Sequence, residues 1–596
     1  MPHVTHEVLN QAPPLAGHDV AADPALLEAL DREGGQARAS GQAQASGQAQ
    51  ASGQAQASGQ ARASGDAVLA ELHELGILAG SAQIQEQARL ANENVPRLRT
   101  HDRYGYRIDE VDYHPAWHAL MSVAISHGLH AAPWTAGEPG AHLARAAKFY
   151  VWGQAEAGHG CPVSMTYAAV PALRHAPELA RRFEPLLASR AYDPGLRPPL
   201  TKAGLLAGMA MTEKQGGSDV RAGTTRAVPA PSAGDGAHLL TGHKWFNSAP
   251  MCDLFLVLAQ GPRGLSCFLL PRVLPDGTRN AMRIQRLKDK LGNRSNASAE
   301  VEYDGALAWL VGEPGRGVRT IIEMVSATRL DCVLGSAAAI RHATVAAVHH
   351  CAWRQTFGKN LIDHPLMTCV LADLAVESEA ATALAIRLAG AAQRAADGDA
   401  AEAALLRVAL PAAKYWVCKR AVGHAAEALE CHGGNGYVEE SGLPGMYREV
   451  PLNSIWEGSG NVTALDVLRA LRRSPDSAGA LLAELDLAAG GDKRLDEAAA
   501  ELRRMLAGLA ALADEAPGGP VGAAAEYQAR RLAGLIASLL QGALLVRHAP
   551  AAVADAFCAS RLGSASAGGP GYAFGTLPDG LELAPVIDRA RVTLPG

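Results

Sequence analysis

Residues 209–227 read MAMTEKQGGSDVRAGTTRA, and the character of the chain changes at this stretch. Earlier segments, such as HLARAAKFYVWGQAEAG, carry apolar residues at helical spacing, whereas the later runs are short, apolar and separated by turn signals. Long alanine- and leucine-rich windows with helical spacing return near residue 315. This order predicts a mostly α protein with a central β domain.

The strand-rich part is predicted over residues 205–312. Its runs LLTGHKWF, LFLVLAQ and LSCFLLP are broken by turn signals, among them Gly261 with Pro262 and Asp276 with Gly277. We predict four parts from these changes: an N-terminal helical domain at 1–204, the β domain at 205–312, a helical bundle at 313–473 and an extra C-terminal helical domain at 474–596.

A low-complexity tract interrupts the N-terminal domain at 35–65. It repeats ASGQAQ with a glycine in each copy and contains no large apolar side chain over residues 39–65. Such a segment cannot offset its ordering entropy by burial, so we predict a disordered surface insertion. A sequence expansion without any function is the alternative for this tract.

Composition argues for a soluble globular protein of several domains. The chain has 596 residues, of which 48% are apolar, and a formal net charge of −6. No global basic field therefore favours nucleic acid or an anionic membrane as the main ligand, and such a partner would need a local patch. The nine cysteines are scattered without a CxxC pair, which predicts reduced, mostly buried thiols and no metal site.

Two further segments bear on location. The first residues, MPHVTHEVLNQAPPL, lack a basic segment followed by an apolar run, so we expect no secretory signal and a cytoplasmic protein. The late apolar stretch LAGLIASLLQGALLV at 532–546 is short for a membrane span and contains Gln541. We predict that it forms a buried helix.

Besides 209–227, four segments could carry chemistry. They are KWFNS at 244–248, WRQTFGKNLIDHP at 353–365, ECHGGNGYVEES at 430–441 and NSIWEGSGN at 453–461. Each has an ordinary structural interpretation: an aromatic strand in a core, a helix terminus, a C-terminal cap, and a first-turn carboxylate. Each also has a functional one, in which glycines admit a ligand close to the backbone and aromatic or basic side chains hold its rings and phosphates.

In content and order these five segments resemble the acyl-CoA dehydrogenase family of flavoproteins over about 110–472. RLKDKLGNRSNAS at 286–298 and the extra C-terminal region make the chain similar to one subgroup, the adaptive-response or DNA-alkylation-response proteins. The resemblance implies an N-terminal helical domain, a β-barrel or sandwich domain and a C-terminal four-helix bundle, followed by the extra helices.

The resemblance also implies FAD as cofactor and a homotetramer, since in related tetramers the adenosine half of FAD is bound mainly by a neighbouring subunit. The residues that it places at the cofactor come from all five segments. They are Met211, Thr212, Gly217, Ser218, Phe246, Asn247, Ser248, Arg354, Phe357, Gly433, Gly434, Ile455, Trp456, Gly458, Ser459 and Asn461.

Glu457 is the one acid in NSIWEGSGN, and the resemblance implies that it is the catalytic base. In the family a carboxylate removes the α-proton of an acyl thioester while a hydride leaves the β-carbon for the flavin. Trp456 stands where the family usually has tyrosine, and Glu430 stands where many members have glutamine. These departures leave the size of the acyl group open.

Two functions of different classes follow. The first is an acyl-CoA dehydrogenase or a close chemical variant, with an ordinary enzyme for short or branched acyl-CoA as the plain alternative. The second is a flavoprotein of the alkylation response that binds double-stranded DNA without sequence preference. The candidate phosphate contacts are arginines of the C-terminal helices, where acids and bases roughly balance. They are Arg469, Arg472, Arg473, Arg530, Arg531 and Arg561.

Overall fold

The computed structural model describes residues 8–45, 54–515, 522–562 and 573–594, with side chains left out at 36–64 and 510–521. The chain divides into two compact units. The central unit is Gln83–Asp331, and the terminal unit combines Met1–Ala82 with Cys332–Gly596.

Helices occur in both units and make up most of the terminal unit. They are α1 Pro24–Ala45, α2 Gln54–Ala79, α3 Ala82–Glu93, α4 Pro115–Ser126, α5 Pro133–Ala136, α6 Ala141–Gly153, α7 Gly160–Leu173, α8 Pro177–Leu187, α9 Gly317–Trp353, α10 Pro365–Ala396, α11 Ala400–Glu430, α12 Leu443–Asn453, α13 Gly460–Arg473, α14 Pro475–Asp486, α15 Lys493–Glu515, α16 Ala523–His548, α17 Ala551–Phe557 and α18 Ala584–Asp588.

The strands lie almost entirely in the central unit. They are β1 Arg97–His101, β2 Arg107–Asp112, β3 Ala207–Ala210, β4 Arg226–Pro229, β5 Ala237–Ser248, β6 Leu254–Gly261, β7 Gly264–Pro271, β8 Met282–Leu287, β9 Ser298–Val311, β10 Gln355–Thr356 and β11 Lys359–Asn360. Of the strands in the described residues, only the two short ones, β10 and β11, belong to the terminal unit.

The main sheet closes on itself. Its strand order is β3-β6-β4-β5-β9-β7, and β6 also pairs with β7, while β8 pairs with β9. Strands β6 and β7 are buried along most of their length, as their continuous apolar sequences require. A register shift between Lys244 and Asn247 interrupts the pairing of β5 with β9. This irregularity lies in the KWFNS segment, where bulges typically redirect a side chain.

Long buried helices form the core of the terminal unit. Helix α10 follows His364, whose backbone is extended, and begins with Pro365, which suits a first helical position because proline lacks an N–H group. Helix α11 is capped by Asp399, whose side chain accepts from the N–H groups of Ala401 and Glu402. Helices α11 and α16 pack against each other, and each also packs against α10 and α13.

The C-terminal helices include the apolar stretch at 532–546. It lies within α16, whose residues Leu532, Ile536 and Leu539 are buried. Within the described residues, α16 is the helix long and apolar enough to cross a membrane, and 78% of its apolar window is buried. The prediction of a buried helix is confirmed.

The fold class is confirmed: helices precede and follow a central β region, and extra helices continue beyond α13. The domain boundaries stay predictions. All nine cysteines are free, and all but Cys369 are buried, as predicted.

The ASGQAQ tract differs from the prediction where it is described. The backbone is helical over the parts of the tract that belong to α1 and α2. Alanine and glutamine are favourable in helices, which explains why the repeat extends the flanking helices despite its glycines. The predicted disorder at 46–53 lies outside the described residues.

Candidate active site

The loop after β3 is folded around the buried carboxylate of Glu213. This group is 1% exposed and accepts hydrogen bonds from the N–H and hydroxyl groups of Thr224 and Thr225. The Lys244 ammonium group donates to it at 2.8 Å and also approaches the Met211 carbonyl at 3.4 Å. Burial raises the pKa of Glu213, but hydrogen bonds from Lys244 and Thr225 outweigh burial and hold the pKa well below its usual value. Glu213 therefore joins both ends of the loop to β5.

Two predicted cofactor residues of this loop lie against each other. A Cβ atom at Gly217 would lie 2.4 Å from the Thr212 hydroxyl oxygen, which leaves no room for a side chain. The Thr212 carbonyl accepts from the Trp245 N–H at 2.8 Å. Thr212 is therefore held beside β5, whereas Ser218 is exposed at the outer part of the loop.

Asn247 fits an absent polar ligand. It is fully buried, and neither its amide nitrogen nor its amide oxygen has a hydrogen-bond partner among the described residues. Phe246 on one side is 49% exposed and Ser248 on the other is half-buried. Buried amides are normally satisfied, so an unpaired donor beside an unpaired acceptor matches the edge of a flavin, which offers both kinds of group.

In the terminal unit, Glu457 lies in the turn that joins α12 to α13. Its φ angle is 56° and that of Gly458 is 100°. The left-handed region is costly for a residue with a Cβ atom and persists only where the surroundings enforce it. The carboxylate is thus presented by a strained, half-buried turn between two helices.

The residues before Glu457 are attached to neighbouring helices. Trp456 Nε1 donates to the Asn453 side-chain oxygen at 2.9 Å, and the Asn453 amide donates to the Ser336 hydroxyl of α9 at 3.2 Å. Ile455 is 62% exposed. These two hydrogen bonds fix the orientation of the Trp456 indole relative to α9 and α12.

Lys414 of α11 is a site residue that was not predicted from the sequence. Its side chain is 1% exposed, and Nζ donates to the carbonyl oxygens of Trp456 and Gly458 at 2.7 and 2.5 Å. These carbonyls flank Glu457 in the chain. A lone lysine in the apolar window LPAAKYWVC was the available signal.

The turn ends at Ser459, and α13 begins at Gly460. The Asn461 side-chain oxygen accepts from Arg530 Nε of α16 at 2.8 Å. Arg530 was predicted as a phosphate contact for DNA, yet its guanidinium group is engaged with a predicted cofactor residue. The extra C-terminal helices therefore contact the helix that carries the site.

The RQTFG segment forms a two-residue hairpin between β10 and β11. Phe357 and Gly358 have φ angles of 49° and 84°, as hairpins with a tight turn of this kind require. Phe357 is 96% exposed. The Arg354 guanidinium group donates to the Asn10 carbonyl at 2.8 Å, and the Asn10 side chain bonds the backbone of Gln355.

The GGNG segment forms a short turn after α11. Gly433 has a φ angle of 58°, and nothing lies within 4 Å of a Cβ atom built at Gly433 or Gly434. At Gly436 such an atom would lie 2.1 Å from the Leu429 carbonyl oxygen. Tyr437 is 82% exposed. The first two glycines thus present open backbone, which suits close approach by a ligand.

The structure contradicts the prediction that Arg561 contacts DNA. Its side chain is 4% exposed and paired with Asp373 and Glu377 of α10. Burial raises the pKa of Glu377, but Arg420 and Arg561 lower it to about 2. A guanidinium group held in this way cannot reach a phosphate.

The remaining arginines are exposed or half-exposed but differ in their partners. Arg531 pairs with Glu501 of α15. Arg469, Arg472 and Arg473 lie at the end of α13, and none has a carboxylate partner among the residues that the structure describes. Of the six predicted arginines, these three keep the features expected of a phosphate contact.

The predicted site residues are divided between the two units. Met211, Thr212, Gly217, Ser218, Phe246, Asn247 and Ser248 lie in the central unit. Arg354, Phe357, Gly433, Gly434, Ile455, Trp456, Glu457, Gly458, Ser459 and Asn461 lie in the terminal unit.

Three family models match consecutive parts of the chain. The model of the adaptive response protein AidB N-terminal domain matches residues 57–194. The acyl-CoA dehydrogenase middle domain matches 208–306, and the acyl-CoA dehydrogenase C-terminal domain matches 315–472. The glycine-rich loop and strand of the central unit fall in the second match, and the Glu457 turn falls in the third.

Known proteins agree with these matches. The putative acyl-CoA dehydrogenase AidB of Escherichia coli is 45% identical over 508 residues, which cover 84% of this chain and 87% of that protein. Caenorhabditis elegans ACDH-11 in complex with C11-CoA is 29% identical with a TM-score of 0.74, covering 83% of this chain and 87% of that one. A Bacillus anthracis acyl-CoA dehydrogenase complexed with FAD is 21% identical, covers 75% of this chain and 77% of its own, and shares the fold at a TM-score of 0.58. The chain belongs to the acyl-CoA dehydrogenase family, within its adaptive-response AidB subgroup.

Proposed function

We propose that this FAD-dependent oxidoreductase of the acyl-CoA dehydrogenase type uses Glu457 as the base that removes the α-proton of an acyl thioester. FAD, when bound, accepts the hydride that leaves the β-carbon. The observation that supports this assignment most is the Glu457 turn: a single carboxylate held in a left-handed conformation between two helices. Strain of this kind is characteristic of functional residues.

The other residues of the chain are proposed to bind and orient. Asn247 offers a buried donor and acceptor to the flavin edge, while Thr212 and Ser218 offer hydroxyl groups. The Gly458 N–H group, next to the base, can donate to the thioester oxygen as negative charge develops there. Arg354, Gly433 and Gly434 would hold the adenosine half of the cofactor.

The substrate is proposed to be an acyl-CoA, in line with the C11-CoA bound to the related C. elegans protein. Trp456 is larger than the usual tyrosine, and its orientation is fixed by Asn453. The experiment is anaerobic mixing of the purified protein with acyl-CoAs of graded length while flavin absorbance is followed.

A second function, binding of double-stranded DNA within an alkylation response, is proposed on one observation. Arg469, Arg472 and Arg473 occupy the last turns of α13 without carboxylate partners among the described residues. Guanidinium groups that are free in this way suit phosphates and carry no sequence information. Arg531 is paired and Arg561 is buried, so we limit the proposed surface to the α13 arginines.

A homotetramer in the cytoplasm completes the proposal. Phe357 and Tyr437 are 96% and 82% exposed in the single chain, and both belong to segments proposed to hold the adenosine half of FAD. Large exposed aromatic side chains suit a subunit interface. Light scattering of the purified holoprotein measures the subunit number directly.

A further inference from the structure

Lys414 is a buried cation without a counter-ion. It is 1% exposed, and within the described part of the chain no carboxylate lies within ion-pair distance of its ammonium group. Nζ instead donates to two neutral carbonyl oxygens, those of Trp456 and Gly458. Burying a charge without an opposite charge destabilises the folded state. A leucine or methionine would fit the apolar surroundings of α11 without this cost, so packing does not explain the lysine.

The two carbonyls lie just before and just after the strained part of the turn. Glu457 and Gly458 both have positive φ angles, and Lys414 bonds the carbonyl that precedes Glu457 and the carbonyl of Gly458. A single ammonium group has three N–H donors and can bond both carbonyls at once. Lys414 thus links the two ends of the Glu457–Gly458 pair, in which both residues have left-handed φ angles.

We propose that Lys414 is a positioning residue for Glu457: it holds the Glu457 turn in its left-handed conformation and thereby places the carboxylate for proton transfer. This inference rests on the proposed role of Glu457. The buried charge and the strained turn each destabilise the folded state, and in this proposal both serve to place the carboxylate. A misplacement of about 1 Å in such a site lowers the rate by about 10²-fold.

The test uses the full-length holoprotein and the variant Lys414→Met, with Lys493→Met as control. Lys493 lies at the start of α15, and its side chain is 89% exposed. We expect flavin reduction by acyl-CoA to fall by about 10²-fold in Lys414→Met, with acyl-CoA affinity and FAD content nearly unchanged. The melting temperature should be equal or higher, because an uncompensated buried charge is removed. Lys493→Met should match the wild type in every measurement.

A double-mutant cycle with Glu457→Gln shows whether Lys414 acts through Glu457. If it does, Lys414→Met adds little further loss in the Glu457→Gln background, since effects of residues that act as a unit are not additive. Lys414→Gln keeps an N–H₂ donor and should retain part of the wild-type rate. It also provides a second variant should the methionine protein fold poorly.

Several outcomes would overturn the proposal. One is a wild-type reduction rate in Lys414→Met; another is a loss of rate that multiplies fully with that of Glu457→Gln. A fall in melting temperature with parallel loss of FAD would assign Lys414 a general structural role instead. If Glu457→Gln itself reduces flavin normally, or if wild type neither reduces flavin nor exchanges the α-proton of an acyl-CoA in D₂O, the base assignment fails first and the role of Lys414 fails with it.

Discussion

Asn247 and Asn280 are both buried asparagines of the central unit, and they differ in how their amides are satisfied. Asn280 donates to the carbonyls of Pro271 and Leu307 and accepts from two backbone N–H groups. Asn247 has no such partners among the described residues. Since an unsatisfied buried amide costs about 1–3 kcal/mol, the difference between these two residues indicates a ligand at Asn247.

We predict that Asn247→Leu weakens FAD binding about tenfold, the value of one hydrogen bond. The same change should leave the melting temperature of the apoprotein unchanged or higher, because the unsatisfied amide is removed. Asn280→Leu, the matched control, should lower that melting temperature. Fluorescence titration of apoprotein with FAD and thermal unfolding check both statements. Unchanged FAD affinity in Asn247→Leu would remove Asn247 from the cofactor site.

At the scale of elements, the glycine-rich loop depends on the pair formed by Glu213 and Lys244. Both side chains are 1% exposed, so removing one charge leaves the other buried and unpaired. We predict that Glu213→Gln lowers the free energy of unfolding by about 3–5 kcal/mol and weakens FAD retention through the loop. The double variant Glu213→Gln with Lys244→Met should recover much of the stability, since no isolated charge remains. Chemical denaturation of the three proteins measures these differences.

The same pair makes stability depend on pH. The pKa of Glu213 is depressed in the folded protein below its ordinary value of 4.5. Its contribution is therefore fully present above that value and is lost as the pH falls toward the folded pKa. The melting temperature of the wild type should fall more steeply below about pH 4 than that of the double variant. Parallel curves from about pH 7 to about pH 3 would contradict this contribution.

Several elements of the structure could be predicted from local sequence alone. The change from helices to strands at 209–227 and the buried helix at 532–546 follow from periodicity, turn residues and composition, which act over a few residues. The partner of Arg354 could not be predicted, because Asn10 lies 344 positions away. Arg561 was misjudged for the same reason: Asp373, its partner, is 188 positions distant. Lys414 could not be recognised as a site residue from local sequence, because only the fold places the Glu457 turn beside it.

At the scale of the whole molecule, the DNA proposal depends on the positive charge of the arginines at the end of α13. Replacing Arg469, Arg472 and Arg473 by alanine should weaken binding about equally for unrelated duplexes. It should also lower the slope of log affinity against log salt by roughly one for each phosphate that is no longer bound. Arg503 and Arg531 are paired with Asp486 and Glu501, so their double alanine variant is the matched control and should bind nearly as wild type. Full affinity in the triple variant, or binding insensitive to salt, would exclude this surface.

The central claim for the whole molecule is that Glu457 is the base of a flavin-linked dehydrogenation. Glu457→Gln keeps the shape of the side chain but cannot accept a proton. The decisive measurement is the rate at which an acyl-CoA bleaches the flavin absorbance under anaerobic conditions, compared between wild type and Glu457→Gln with equal FAD content. We predict rapid bleaching in the wild type and a fall of at least about 10²- to 10⁴-fold in the variant. Equal rates in the two proteins, or a wild-type flavin that no acyl-CoA of the graded series reduces, would contradict this claim.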